Sequence, residues 1–339
     1  MNPNRKYIIL ILLLTIGTFF ACFREDERIE PHEPGSEVIV ALEENIYYRQ
    51  VFINLSPDTA DIVQINDHGE WHLGFESADT GWHILLNSAD YLRIANTGIS
   101  NFEEVTSIPP DIKWTYDRSD GDLDSTAVDQ WVTPGEAENI YTNHVYLLGT
   151  FGGINYTIFR KVVFLELSEE KYVFKAAKLD GSDEQTYELF KDENYDFLRF
   201  SFHDGGKITP QPERYNWDFM LGQYATIIFT NDGIPTEYTV RGALINSTGV
   251  EVAIDSTMYF RDIVLEDVQD MEFTDRIDII GHEWKAYIEP DYVIDTLYNY
   301  IIRDADGLSY KLKFTGYYSS AISEVPPQKG YPTFEYKEL

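Results

Sequence analysis

The sequence predicts an all-β protein with two tandem antiparallel β-sandwich-like domains, residues 38–185 and 186–339, behind a signal peptide and an acidic tether. First, aromatic residues make up 15% of the chain, and aromatic and β-branched side chains favour strands. Second, no stretch of ten or more residues shows a clean helical period with caps. Third, one set of motifs occurs twice in the same order, and roughly 300 residues after the leader suit two domains on length alone.

Residues 1–21 are predicted to be a lipoprotein signal peptide. Arg5 and Lys6 form a short positive region, and the apolar stretch "YIILILLLTIGTFF" follows it. At roughly 14 residues this stretch is too short for a membrane span, which needs about 20. Ala21 is the small residue of a cleavage site, and Cys22 is the only cysteine of the chain. We expect lipidation of Cys22 to anchor the protein in the outer membrane; the alternative is an uncleaved anchor helix with an unmodified cysteine.

Residues 22–37 follow as an acidic tether. The stretch "FREDERIEPHEPGSE" contains many carboxylates, two prolines and few apolar side chains, so it cannot bury enough surface to fold. An acidic run behind a lipidated cysteine resembles a surface-export signal, and the alternative is an ordinary linker. Without residues 1–21, 24 basic side chains face 58 acidic ones. Such a negative charge excludes nucleic acid as a partner, because phosphates require basic patches.

Two long segments predict an internal duplication. Residues 47–77 parallel residues 194–223, and residues 84–105 parallel residues 243–263. A strand, a glycine-containing turn and a second strand then follow in both places. Three matches in the same order are unexpected by chance, so we interpret the chain as two copies of one domain.

Period-two alternation predicts the strands within each copy. In "WDFML", the side chains of Trp217, Phe219 and Leu221 are expected to share one face, with Met220 on the other. The stretch "VYLLGTFGGINYTIFRKVVFLEL" predicts a long hairpin that turns at Gly152–Gly153. Short strands with regular turns are typical of antiparallel sandwiches.

An ordered set of motifs resembles a known family. The segments "YNWDFMLGQYAT", "GALINSTGVEVA", "YIIRDADGLSYKLKF" and "GYPTFEYKEL" are similar to the HmuY-like lipoproteins of the Bacteroidetes. The segments "WHLGFES" and "VYLLGTFGGINYTIFRKVVF" resemble the companion half of two-domain members. The resemblance implies an all-β, lipid-anchored protein at the cell surface that captures haem for a TonB-dependent outer-membrane receptor. It therefore implies a small-molecule binding protein and no enzyme.

Haem capture by axial side chains needs a histidine, a methionine or a comparable ligand at the iron. In the family these ligands follow a Trp-Asp motif, and a histidine pair in that pattern is absent here. Met220 and Met258 lie in the corresponding region of the second copy, so they form the first candidate pair; the alternative is that they fill gaps in a core. His72 and His83 form the second candidate pair, expected to meet across a hairpin, unless they are packed or solvated residues.

Other kinds of site are not predicted. Asp117, Asp120, Asp122 and Asp124 surround a turn, but their spacing does not match a calcium loop, so we expect a solvated turn that caps a short helix near Ser125 and no metal site. No catalytic or phosphate-binding motif occurs. The alternative function is a glycan- or peptide-binding accessory lipoprotein of a polysaccharide uptake complex, because tyrosine and tryptophan suit stacking on sugars.

Overall fold

A computed structural model describes residues 34–135, 137–152, 155–230, 232–320 and 326–339. The predicted signal peptide, Cys22 and most of the predicted tether lie outside these ranges. Within them, helical structure is limited to α1 (Leu265–Val268) and short 3-10 turns, and no helix is long and apolar enough to cross a membrane.

The strands of the described residues are numerous and range in length from 2 residues (β7 and β8) to 13 residues (β10). In chain order they are β1 (Val38–Ala41), β2 (Arg49–Leu55), β3 (Ala60–Asp67), β4 (Leu73–Glu76), β5 (Ile84–Leu86), β6 (Leu92–Asn96), β7 (Val132–Thr133), β8 (Ile140–Tyr141), β9 (Val145–Gly152), β10 (Asn155–Leu167), β11 (Lys171–Ala177), β12 (Gln185–Phe190), β13 (Phe197–Ser201), β14 (Gly206–Ile208), β15 (Phe219–Phe229), β16 (Pro235–Ile245), β17 (Glu251–Asp255), β18 (Lys285–Ile288), β19 (Asp291–Ile294), β20 (Asn299–Arg303), β21 (Ser309–Tyr318) and β22 (Lys329–Glu338). The predicted all-β fold is confirmed.

The first sandwich packs two antiparallel sheets face to face. One sheet has the strand order β12–β11–β10–β9–β6, and the other has the order β14–β13–β4–β5. Aromatic side chains from both inner faces meet in the core, where Phe75 stacks on Phe174 with ring centroids 5.1 Å apart. Phe200 meets Phe174 edge to face at 5.0 Å. The aromatic residues that predict strands therefore also fill the space between the sheets.

The second sandwich has the same construction. Its five-stranded sheet has the order β1–β22–β21–β20–β17, and its four-stranded sheet has the order β16–β15–β2–β3. Trp284 and Phe314 stack in its core with ring centroids 4.0 Å apart, and Phe334 meets Phe219 edge to face at 5.7 Å. Two separate cores therefore form, one in each sandwich.

Strand pairing links the two halves of the chain reciprocally. Strands β1 and β2 pair with β22 and β15 of the second half, and β3 extends the same sheet by pairing with β2. Strands β12 and β13 pair with β11 and β4 of the first half, and β14 extends that sheet by pairing with β13. Residues 38–67 thus belong to the sandwich that residues 219–338 complete. Each of the two predicted domains, 38–185 and 186–339, contributes strands to both sandwiches.

Side chains also join the two sandwiches directly. Arg93 of β6 forms an ion pair with Glu237 of β16. Gln223 of β15 donates from Nε2 to the carbonyl of Ala89 at 2.7 Å, in a buried position. Because buried polar groups are costly when unpaired, these contacts favour one relative placement of the sandwiches.

Candidate functional site

A cavity of about 390 Å³ lies between the two four-stranded sheets. Each of these sheets presents one face to its own core and the other face to the cavity. A larger groove of about 830 Å³ lies at the surface beside β12 and β14, but acidic and polar side chains dominate its lining. Most of the surface that lines the cavity between the sandwiches is apolar, and polar and charged side chains such as Arg199 also line it. This combination is typical of small-molecule sites, so we take the cavity as the candidate site.

One wall of the cavity is apolar. Phe52 and Trp217 meet edge to face with ring centroids 5.1 Å apart, and Met220 and Leu244 pack against them. Phe52 and Leu244 flank Met220 in the strand register. These residues share the outer face of the sheet because a strand alternates sides at each residue. The wall therefore offers an aromatic and thioether surface to a ligand.

Met220 lies on the predicted face of β15, whereas Trp217 lies on the face opposite to the one predicted. Phe219 and Leu221 lie in the core of the second sandwich, whereas Met220 faces the cavity. Trp217 lies on the side of Met220, because β15 begins only at Phe219 and Trp217 precedes the regular strand. The expectation that Trp217 shares a face with Phe219 and Leu221 is therefore wrong.

A glycine makes room for the Met220 side chain. A Cβ atom at Gly222 would lie 2.7 Å from the sulfur of Met220. Gly222 follows Met220 on the same face of β15. The thioether can therefore lie along the wall of the cavity, over the glycine.

The opposite wall carries a cation. Arg199 of β13 stands across from Gly74 of β4, and its guanidinium carbon lies 4.2 Å from the ring centroid of Trp71. Nε and Nη2 of Arg199 both donate to Oε1 of Gln211, at 3.1 and 2.9 Å. Nη1 is buried and has no hydrogen-bond partner among the described residues. Desolvation by burial lowers the pKa of Arg199 to about 10.

Two carboxylates near Arg199 are committed to other partners. Asp196 pairs with Arg214 at 3.3 Å. Asp117 accepts hydrogen bonds from the backbone N–H groups of Leu86 and Ala127. Desolvation by burial raises the pKa of Asp117 to about 6. Arg199 therefore has neighbouring negative charge, but among the described residues its guanidinium donates to an amide oxygen and to no carboxylate.

The two walls occupy equivalent positions on the two sheets. Asn87 donates to the carbonyl of Trp71 at 2.9 Å, and Asn246 donates to the carbonyl of Trp217 at 2.8 Å. Counted from these two tryptophans, Gly74 is equivalent to Met220. Arg199, which pairs with Gly74, is therefore equivalent to Phe52, which pairs with Met220. The same scaffold thus presents a cation on one side of the cavity and an aromatic ring on the other.

The structure does not bring the predicted methionine pair together. Met220 lines the cavity, but Met258 packs in a separate cluster with Ala253, Ile263 and Ile301. Met258 follows β17, which belongs to the other sheet of the second sandwich. The two methionines therefore pack against opposite sheets of one sandwich, and only Met220 lines the cavity.

The predicted histidine pair is also not assembled. His72 accepts a hydrogen bond at Nδ1 from the N–H of Phe202 at 3.1 Å, and desolvation by burial lowers its pKa to about 4. His83 contacts Glu76 through Nδ1 at 2.6 Å. The register of β4 and β5 places His83 opposite Glu76. His72 lies four residues before Glu76, so the backbone positions of the two histidines are about 13 Å apart along the strand direction. Neither histidine lines the cavity.

The predicted aspartate turn caps a short helical turn, but Asp117 is buried and is not part of a solvated surface. Asp122 caps the 3-10 turn Leu123–Ser125 by accepting from the N–H of Asp124 at 3.0 Å. Among the described residues, no group of three metal-ligating side chains occurs. The turn near Ser125 is therefore held by local hydrogen bonds.

Sequence reasoning missed Arg199. Alternation in "FLRFSF" places Arg199 on the face opposite Leu198 and Phe200, both of which are buried in the core. That signal could have identified a charged residue on the outer face of a core strand. It could not have shown that a second sheet covers that face.

Comparisons with known proteins found one family model and a small number of solved structures. The family model described as HmuY protein matches residues 46–336. No curated protein matches the chain. An apo HmuY analog of Tannerella forsythia is 11% identical, over 91% of this chain and 98% of that chain, with a TM-score of 0.24. A Bacteroides vulgatus protein described as HmuY_like and heme binding is 13% identical, over 52% of this chain and 90% of that chain, with a TM-score of 0.18.

Proposed function

The chain belongs to the HmuY family, and from this premise we propose that it is a non-enzymatic protein that captures haem in the cavity between its two sandwiches. The observation that carries the proposal is the position of Met220. It is the one side chain of the histidine, cysteine or methionine type in the described lining of this cavity. A methionine thioether is an established ligand of haem iron.

The residues of the cavity fit a haem held from one side. Phe52, Trp217 and Leu244 surround Met220 and would lie against the porphyrin face. Tyr224 also lines the cavity, but burial raises the pKa of its hydroxyl well above the ordinary value. The phenolate that would ligate iron is therefore disfavoured. We expect one protein ligand at the iron, from Met220.

The proposal includes an anchor and a partner. Lipidation of Cys22 would attach the mature chain to the outer membrane at the cell surface, and the acidic residues after it would form the tether to β1. A TonB-dependent outer-membrane receptor would take up the captured haem. The signal-like residues 1–21 and the family membership support this placement.

A haemin titration tests the cavity as the site. Residues 23–339 are mixed with haemin, and we expect a Soret shift. Met220→Leu keeps the apolar contact with the ring but removes the thioether, so it should change the Soret spectrum and weaken haemin binding, while binding of iron-free protoporphyrin IX stays within about twofold. Met258→Leu is the matched control and should leave both unchanged. An unaltered haemin spectrum in Met220→Leu would contradict the assignment of Met220, and glycan binding without a haemin signal would favour a glycan-binding accessory protein.

A second experiment tests the anchor. Cys22→Ala should release the protein from the membrane fraction of the native host. Protease added to intact cells should degrade the wild-type protein. A protein that stays protected in intact cells would contradict the surface location.

A further inference from the structure

The guanidinium of Arg199 makes fewer hydrogen bonds than it can. Arginine presents five N–H donors in a planar fork. Here Nε and Nη2 share one neutral acceptor, Oε1 of Gln211, and Nη1 has no partner among the described residues. A charged group in a largely apolar cavity is costly unless an opposite charge pairs with it. The site therefore has capacity for an additional anionic partner.

The two carboxylates whose charges act on Arg199, those of Asp196 and Asp117, do not use this capacity. Asp196 is held by Arg214, and both oxygens of Asp117 accept backbone N–H groups. Moving either carboxylate onto Arg199 would break those contacts. The anion that would complete Arg199 is therefore best supplied from outside the chain.

Gln211 occupies the edge of Arg199 that a carboxylate prefers. Two parallel N–H···O bonds to a carboxylate are the strong, charge-assisted mode of arginine recognition. The Nε and Nη2 edge makes that pattern here with a single amide oxygen, at 3.1 and 2.9 Å. Gln211 lies in the connection between β14 and β15. The two oxygens of a ligand carboxylate could therefore take the place of the Gln211 amide oxygen, and only the Gln211 side chain would have to move.

We propose that the ligand of the cavity carries a carboxylate and that Arg199 binds it, with the apolar body of the ligand against Phe52, Trp217 and Met220. This inference rests on the proposed function of the cavity as a binding site. The ligand class is an amphipathic organic acid with a flat or extended apolar body. Haem satisfies this description through its two propionates, and so does a long-chain fatty acid.

A comparison of an acid with its ester tests the inference on the wild-type protein. Protoporphyrin IX and its dimethyl ester share one ring system and differ in charge. We expect the ester to bind residues 23–339 about 10- to 100-fold more weakly, the range for losing a charge-assisted hydrogen bond. Equal affinities would overturn the inference and leave the proposed haem function intact.

A variant then assigns the effect to Arg199. Arg199→Met should weaken binding of protoporphyrin IX by a similar factor and leave binding of the dimethyl ester within about twofold. Arg303→Met is the matched control, since Arg303 lies 3.9 Å over the ring of Phe273 on a strand that does not line the cavity. An Arg199→Met protein that still prefers the acid by the wild-type factor would overturn the assignment.

A second probe pair separates this inference from the haem proposal. cis-Parinaric acid is a fluorescent fatty acid, and its methyl ester is the neutral control. If haemin and both porphyrins fail to bind and the fatty acid binds through Arg199, the haem proposal is wrong and the inference is supported. If neither haemin nor any of the four probes binds the wild-type protein, both are overturned.

Discussion

Lys161 and Lys311 occupy the same place in the two sandwiches and fasten the same kind of turn. Each lies buried on the central strand of its five-stranded sheet, β10 or β21. Each ammonium donates to two backbone carbonyls of a 3-10 turn. Lys161 donates to Phe102 and Val105 at 2.9 and 3.1 Å. Lys311 donates to Phe260 and Ile263, both at 2.8 Å.

Replacing either lysine should destabilise the protein. Lys161→Met or Lys311→Met keeps most of the apolar stem but leaves two buried carbonyls without a donor. We expect a loss of about 2–4 kcal/mol in the free energy of unfolding for each, measured by urea denaturation. Lys113→Met, at an exposed position, should change it by less than about 0.5 kcal/mol. Similar midpoints for all three variants would contradict a structural role of the buried ammonium groups.

A glycine in β16 should tolerate no side chain. A Cβ atom at Gly242 would lie 2.1 Å from the carbonyl oxygen of Gly281, which bridges to Ala243. Gly242→Ala should therefore cost about 1–3 kcal/mol, because backbone must shift. Gly206→Ala is the control, since nothing lies within 4 Å of its Cβ position. Equal melting temperatures for the two variants would count against the close approach of the two backbones.

The stability should depend on pH through Asp218. Desolvation by burial raises the pKa of this carboxyl to about 7, against about 3.9 in an unfolded chain. The folded state therefore holds more protons between these values, and the free energy of unfolding contributed by Asp218 falls as pH rises from about 4 to about 7. In the wild type, the backbone N–H of Leu55 donates to Oδ2 of Asp218 at 2.6 Å. Asp218→Asn removes the titrating carboxyl, and the amide oxygen of the new side chain can still accept this hydrogen bond.

Chemical denaturation at pH 5 and pH 8 measures that effect. We expect Asp218→Asn to become more stable relative to the wild type as pH rises from 5 to 8. Asp79→Asn, at an exposed position, should follow the wild type at both pH values. A constant difference between Asp218→Asn and the wild type would show that the carboxyl does not titrate in this window.

Strand exchange predicts which pieces of the chain fold alone. Residues 69–210 contain β4 to β14 and so every strand of the first sandwich. Residues 38–185, of similar length, contain β1 to β3 without their partners in the second sandwich. We expect a cooperative thermal transition for 69–210 and none for 38–185, measured by circular dichroism. The reverse result would contradict the described pairing.

Local patterns allowed much of the fold to be predicted. The turn at Asp306–Gly307 lies between β20 and β21, and Gly307 has a φ of 83°, which glycine adopts without strain. The alternation of β15 correctly placed Met220 on the face opposite Phe219 and Leu221. These features depend on a few neighbouring residues, so the sequence contains enough information about them.

Long-range pairing could not be predicted in the same way. Alternation shows which face of β2 is buried but does not distinguish β4 from β15 as its partner, because β4 and β15 lie in segments with similar sequence patterns. The position of Met258 against the other sheet follows from the overall topology rather than from its distance to Met220 in sequence. The cavity, and with it Arg199, depends on the same long-range arrangement.

The exchange of strands also sets an order of events during synthesis. The ribosome releases β1 and β2 early, but β22 and β15, with which they pair, emerge much later. The middle of the chain, β4 to β14, can assemble in the meantime, since its pairing is complete within itself. Contacts between distant parts of a chain form slowly, so β1 and β2 dock after the strands that follow them, and the nascent protein closes from its centre outward.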